Sequence, residues 1–356
     1  MEKKRLDYLD MVKGFGIFLV VLGHMEDISS STRIWISSLH MPLFFIVSGI
    51  LIAVKNEQEK DMSLILKKRF KGLIIPYLWF SLSYFLIDIL NVTIIGNIDL
   101  HTFIVDTISS LTFYGMSVLW FLPALFISTV TFLFLKKKLS DKVLLFVMII
   151  ISVVSYLIKL QFELIYAKFE ENLLITSLIN IVYIVIRALV ALSFVGYAFY
   201  IKKLFDSLVV SKNKYKFLDG KIFSFICGII LLGINIPLAF LNNCVDLRNI
   251  LLNNVPIYYI AAFAGSFGLI LLFKGLPSVK LITYFGKNSI IVMADHVNYY
   301  FLYAGIKLAW LIDPFVKHAK HYIFVAIVVT TIFILSTIVI EVINRWFPFV
   351  LGKGKK

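Results

Sequence analysis

The stretch KGFGIFLVVLGH, Lys13 to His24, decides how the chain is read. The residues between its ends are all apolar or glycine, with a cation at the start and a titratable imidazole at the finish. That is a membrane helix with a polar group at each end, and the rest of the chain has the same character. Of 356 residues, 60% are hydrophobic and only 16% are charged. A soluble domain carries about 25% charged residues. Mean hydropathy is +0.93. In lipid each span must satisfy its own backbone hydrogen bonds, so only helices or a closed barrel qualify. The apolar runs are continuous, not alternating, which predicts helices.

Spans are predicted at roughly 8–26, 34–54, 72–92, 116–135, 143–160, 175–200, 222–241, 255–273, 283–304 and 322–344. The fold class is therefore all-α, a polytopic integral membrane protein with about ten transmembrane helices. No soluble domain fits the connections, the longest being about 20 residues, and no repeat of fixed period is present. Residues 1–345 read as the transmembrane domain and 346–356 as a short basic tail. No small-residue cleavage site follows the first apolar run, so that run is expected to stay as a span.

The net charge of +14 has its source in the loops. Lys and Arg number 27 on one set of sides: the N-terminus, 55–71, 136–142, 202–221, 274–287 and the end from Arg345. The other side holds 7, namely Arg33, Lys159, Lys168, Arg248, Lys307, Lys317 and Lys320, while Arg187 lies within a span. This alternation predicts both termini in the cytoplasm. It also removes the need for a nucleic-acid partner. Cys227 and Cys244 are separated by mostly helix, about 20 Å or more, too far for a disulfide.

Ionisable groups within spans are costly and point to function. Lys13, His24, His40, Arg187 and His296, with Asp295 beside it, stand out. Each has a plain structural alternative: a snorkelling lysine, an interfacial histidine, an ion-paired arginine. The predicted topology, however, puts His24, His40 and His296 at middle to outer depth, whereas His101, His318 and His321 fall in outer loops. Lys13 and His24 are eleven residues apart, about 16 Å along a helix and within roughly 20° of one face. A cation at one mouth and an imidazole on the same face suit a long ligand with phosphates at one end and a reactive group at the other. Acyl-coenzyme A has that form. A buried imidazole is expected to be neutral, as a general base must be. Asp10, three residues before Lys13, is positioned to hold it. Trp120 and its aromatic neighbours either line a substrate site or pack as core.

The motifs YLDMVKGFGIFLVVLGH, SLHMPLFFIVSGIL, KKRFKGLIIPYLWF, LWFLPALF and FGKNSIIVMADH resemble the acyltransferase 3 family of bacterial membrane O-acyltransferases, most of all its fucose 4-O-acetylase-like branch. The resemblance runs through nearly the whole chain. It implies transfer of an acyl group, usually acetyl, from acyl-CoA (acetyl-CoA) as donor to a hydroxyl of a cell-envelope or exported glycan or lipid-linked sugar. The setting it implies is the plasma (inner) membrane of a bacterium, with membrane lipids around the protein and no metal. The family motifs map onto Lys13 and His24 and onto Lys68 and Arg69, so the three cations are expected to bind the donor and His24, with Asp10 beside Lys13, to form the catalytic set; His40, Trp120 and His296 are, from their own positions, the acceptor-side candidates. Pro76 and Tyr77 complete the basic motif. Lys stands at position 13 where the family more often has Arg, losing a bidentate phosphate contact but keeping charge. Glu26 and Asp27 are the acids near His24 that are candidates to orient it. No hydrolase-like domain is attached, so transfer is expected to finish within the membrane domain.

Two other classes fit parts of the sequence. Prolines inside spans (Pro42, Pro76, Pro123, Pro237, Pro256) suit the broken helices of a transporter or flippase of a lipid-linked sugar, but no hydropathy repeat accompanies them. A structural polysaccharide export component has no use for the Lys13–His24 pairing.

Overall fold

A computed structural model describes residues 6–25, 27–96, 98–169, 173–211, 220–312 and 321–354. The described residues are helical apart from turns and one isolated bridge, Asp246 with Leu251. The helices are α1 (Asp7–Gly23), α2 (Ser30–Val54), α3 (Met62–Arg69), α4 (Ile75–Leu90), α5 (Leu100–Leu111), α6 (Phe121–Lys138) and α7 (Asp141–Phe169). They continue with α8 (Leu173–Ser211), α9 (Lys221–Asn242), α10 (Val255–Gly275), α11 (Lys280–Lys287), α12 (Ser289–Asp295), α13 (Phe301–Ile312) and α14 (His321–Trp346). Among the described residues, 7 helical stretches are long and apolar enough to cross a membrane. Helix α1, at 17 residues, lies at the short limit for a span. The protein is an all-α polytopic membrane protein.

Two predicted features change. The span expected at 283–304 is not one helix: it is interrupted at Asn288 and again over His296–Tyr300, where Tyr300 has φ +61°. Asp295, His296 and Asn298 are polar, and such groups offer the backbone alternatives to the helical ladder. Asp295 and His296 are 0% and 1% exposed, so the irregular backbone is covered by protein, the condition under which membranes tolerate it. The second change is α5, which occupies part of an expected loop. Asp99 caps it, its carboxylate accepting from the Thr102 N–H at 2.8 Å.

The chain divides into two compact units. Unit 1 comprises 1–55, 197–293 and 302–336, and is built largely on α1, α2, α9, α10 and α11. Its helices are clamped by Asn235 of α9, fully buried. The Asn235 amide donates to Ser38 Oγ at 3.1 Å and to the Ala261 carbonyl at 2.9 Å, and its oxygen accepts from Trp35 Nε1 at 2.9 Å. One side chain thus ties α2, α9 and α10 together. Helices α1 and α11 approach backbone to backbone. A Cβ added at Gly286 would lie 1.7 Å from the Asp10 carbonyl oxygen, and one at Gly14 would lie 2.0 Å from that of Ile282. Only glycine admits this approach, so the FGKN motif has a packing reason: it seats α1 at the level of Asp10 and Lys13.

Unit 2 comprises 56–196, 294–301 and 337–356. Its α3 and α4 form one helical stretch, Met62–Ile95, with π turns at Phe70–Ile74 and Asn91–Ile95. The first has a clear cause. Pro76 has no N–H and its ring crowds the carbonyl of residue 72, and a wider turn, closed by the Ile75 N–H on the Phe70 carbonyl, relieves that crowding. The turn after Asp295 is fastened to α4 by three tyrosines. Tyr84 donates to the Ala294 carbonyl, Tyr299 hydrogen-bonds Ser83, and Tyr300 donates to Asn91 Oδ1 at 2.6 Å. The 3₁₀ turn Pro348–Leu351 packs on α4, with the Phe349 ring 5.1 Å from that of Trp79.

Candidate active site

Helix α1 carries three of the residues singled out from sequence. Asp10 is buried, and its Oδ1 accepts from the Lys13 ammonium at 2.7 Å, one helical turn on. The carbonyl of Asp10 is the one that Gly286 abuts. The pair is thus fixed by its own helix and by α11. His24 lies eleven residues on, at the C-cap of the same helix with φ −84° and ψ −5°.

The end of α1 leaves carbonyls without helical partners. Arg33, from the first turn of α2, meets them: Nη2 donates to the Met25 carbonyl at 2.8 Å and Nη1 to that of Gly23 at 3.3 Å. A cation at a helix C-terminus is also favoured by the helix dipole. These two bonds bracket His24. His24 keeps an accessible edge at the protein surface, while surrounding groups crowd most of the ring, in line with the expected burial. The edge stays open because the residue stands past the last turn of α1, where the helix no longer covers it. An exposed imidazole is open to an incoming substrate, so the same residue suits contact chemistry better than a sealed one.

His40 of α2 is half-buried, and its Nδ1–H donates to the Ile36 carbonyl at 2.8 Å. A carbonyl can only accept, so this bond leaves Nε2 as the acceptor nitrogen. His24 and His40 lie within electrostatic reach of each other and of Asp246. His24 also feels Arg33 and Arg248. Asp246 and Arg248 come from the short segment between α9 and α10. That segment is well tied. Asp246 and Leu251 exchange both backbone hydrogen bonds, at 3.0 and 2.8 Å. Asn249 donates to Asp246 from its backbone and its side chain, at 3.2 and 2.7 Å, and the Val245 N–H donates to Ser37 Oγ on α2 at 3.1 Å. Asp246 was not singled out from sequence. The run NNCVDLRNILLNN, dense in turn-forming asparagines, was the available signal. Of the acids expected to orient His24, Glu26 lies outside the described residues, as do Lys3, Lys4, Arg5, Lys317, Lys320 and His318.

The remaining candidates belong to unit 2. Lys68 and Arg69 both pair with Glu57, Arg69 Nη2 at 2.7 Å. The Glu57 side chain is 3% exposed, that of Arg69 15% and that of Lys68 53%. One carboxylate therefore serves two cations and leaves a net positive charge, most accessible at Lys68. Glu57 too was missed, because an acid in a charged loop reads as solvated. Trp120, read from sequence as lining a substrate site or packing as core, is 6% exposed, and the Arg187 guanidinium lies 5.4 Å from its ring. Arg187 is itself buried, lies 4.1 Å from the Tyr114 ring and donates to the Tyr114 carbonyl at 2.9 Å. His296 is buried in the turn held to α4. Of the three histidines expected to converge, the structure brings His24 and His40 together within unit 1, and His296 belongs to unit 2. Among the described residues, no group of three or more His, Cys, Asp or Glu side chains is placed to hold a metal.

An all-helical membrane fold that carries an ion-paired lysine and an exposed, bracketed histidine on one helix has the makings of a membrane transferase. A family model described as an acyltransferase domain matches residues 6–350. The chain belongs to this acyltransferase 3 family, and it is a multi-pass membrane acyltransferase. Comparison with curated proteins and with solved structures finds no match.

Proposed function

We propose that the protein transfers an acetyl group from acetyl-CoA to a hydroxyl of a cell-envelope or exported glycan, within the bacterial plasma membrane and with both its termini in the cytoplasm. The observation that carries this reading is the Asp10–Lys13 pair and His24 on one helix, about 16 Å apart along its axis. Lys13, held by Asp10, contacts the donor's phosphates, and the thin pantetheine arm spans the interval to His24. Lys68 and Arg69 are further donor contacts by resemblance to the family motif, supported by the positive charge that Glu57 leaves uncancelled. His40 and His296 are assigned to the acceptor side from their depth in the predicted spans, and the support is stronger for His40, whose Nε2 is left as an acceptor.

In the reaction, His24 removes the proton from the acceptor hydroxyl as its oxygen forms a bond to the thioester carbonyl carbon. The tetrahedral intermediate collapses, the carbon–sulfur bond breaks, and the coenzyme A thiolate leaves and takes the proton from the imidazolium. The products are the O-acetyl ester and free thiol. General-base assistance of this kind contributes about 10²–10⁴-fold. The exposure of His24 supports access by a bulky acceptor.

The test is reconstitution of the purified protein in liposomes with acetyl-CoA and a glycan acceptor, reading released thiol and acetylated product. Wild type should release thiol only when acceptor is present. His24→Ala should abolish transfer at unchanged folded yield. Transfer by His24→Ala within about threefold of wild type would remove His24 from the mechanism, since a general base contributes far more than that.

A further inference from the structure

The basic run LKKRFK, Leu66 to Lys71, sends its cations in two directions. Lys68 and Arg69 turn to Glu57. Lys67 and Lys71, four residues apart and so on one helix face, line a groove of about 390 Å³ with Leu66, Phe70, Ile75 and Phe126. The groove lies wholly within unit 2. Leu66 and Phe70 are 41% and 46% exposed, and the Phe126 ring of α6 meets that of Phe70 edge-on at 6.5 Å. The π turn Phe70–Ile74 underlies it. Ile75 lies about 12 Å further along the helix than Lys67.

An apolar trough on a span implies no more than contact with lipid tails. The groove's own surface is almost wholly apolar, so the two lysines meet it with their methylene stems and bring a pair of ammonium groups to the same helix face. No carboxylate lines the groove, and like charges at this spacing repel. An anion seated between them would relieve the repulsion, while an apolar chain attached to that anion would follow the trough toward Ile75. A basic pocket between spans is a known way of recognising anionic lipid headgroups.

We propose that this groove binds one anionic phospholipid, its phosphate between Lys67 and Lys71 and one acyl chain along Phe70, Ile75 and Phe126. The site is separate in chemistry from the Glu57-bound pair: Lys68 and Arg69 share a carboxylate, whereas Lys67 and Lys71 face apolar surface.

The experiment uses the full-length protein, delipidated in neutral detergent and titrated with phosphatidylglycerol, with bound lipid counted by native mass spectrometry. One lipid should bind wild type in preference to phosphatidylcholine. The double variant Lys67→Gln/Lys71→Gln should bind it about thirtyfold more weakly at low salt, each lysine contributing about fivefold. Lys67→Arg/Lys71→Arg should keep the affinity. Phe126→Ser should weaken phosphatidylglycerol but leave the weak binding of glycerophosphate, which has no chain, unchanged. Wild-type affinity in the glutamine double variant would overturn the proposal. So would a double variant that loses coenzyme A binding while retaining phosphatidylglycerol, since the groove would then serve the donor.

Discussion

Arg33 holds the end of the helix that carries His24, with Nη2 on the Met25 carbonyl at 2.8 Å and Nη1 on that of Gly23 at 3.3 Å. The guanidinium thus acts on the backbone to either side of the imidazole. Arg33→Ala should release that backbone and loosen His24. Charge-assisted hydrogen bonds contribute about 1.5–3 kcal/mol each, so kcat should fall about tenfold or more with donor KM nearly unchanged. Arg33→Lys, able to reach one carbonyl, should recover part of the loss. A change confined to donor KM would mean that Arg33 does not position His24.

Lys13→Ala should raise the donor KM by about 10- to 150-fold, the value of one charge-assisted phosphate contact. Lys13→Arg should restore most of it. With a thioester donor that lacks the nucleotide phosphates, the effect should shrink, whereas His24→Ala should be equally damaging with either donor. Donor affinity unaltered by Lys13→Ala would sever the link between the eleven-residue spacing and donor length.

Gly286→Ala tests the seat of α1. The new Cβ would stand 1.7 Å from the Asp10 carbonyl oxygen, so the α1–α11 contact must part. Overpacking of this sort costs about 1–3 kcal/mol, and a drop in Tm with a raised donor KM is expected. Gly233→Ala on α9, whose Cβ would meet nothing within 4 Å, should be neutral or slightly stabilising. Equal Tm for the two variants would show that the close approach has no energetic weight.

Glu57→Gln should destabilise unit 2. The amide cannot balance Lys68 and the mostly buried Arg69, and removing one partner from a buried pair costs about 3–5 kcal/mol. Exposure of Lys68 lowers the expectation to about half of that. The measurement is thermal unfolding of the purified protein, with Glu59→Gln, an exposed neighbour, as the variant expected to leave Tm unchanged.

Orientation is tested by single cysteines. Those placed in 136–142 and 202–211 should be labelled from the cytoplasm, and those in 164–172 from outside, if the lysine and arginine bias sets topology. Labelling of 136–142 from outside would reverse the orientation and move the donor to the wrong face.

The sequence by itself determined the class of fold, because a span in lipid must be a continuous apolar run and its ends must be polar. That requirement made α2, α6, α9, α10 and α14 visible within a few residues. It also determined the Asp10–Lys13–His24 series, since helical periodicity alone relates residues three and eleven apart on one helix. What only the tertiary structure decided are the relations between segments distant in the chain. Arg33 reads as a loop charge until it is seen on the Met25 carbonyl. Asp246 reads as a turn residue until its segment folds beside His24 and His40, and Glu57 reads as solvated until Lys68 and Arg69 close on it. The ninth span failed as one helix because hydropathy counts side chains and does not see the three tyrosine hydroxyls that hold its polar turn to α4. Trp120 reads from sequence equally well as a substrate-site or a core residue, and the buried Arg187 beside it is a contact that no local pattern encodes.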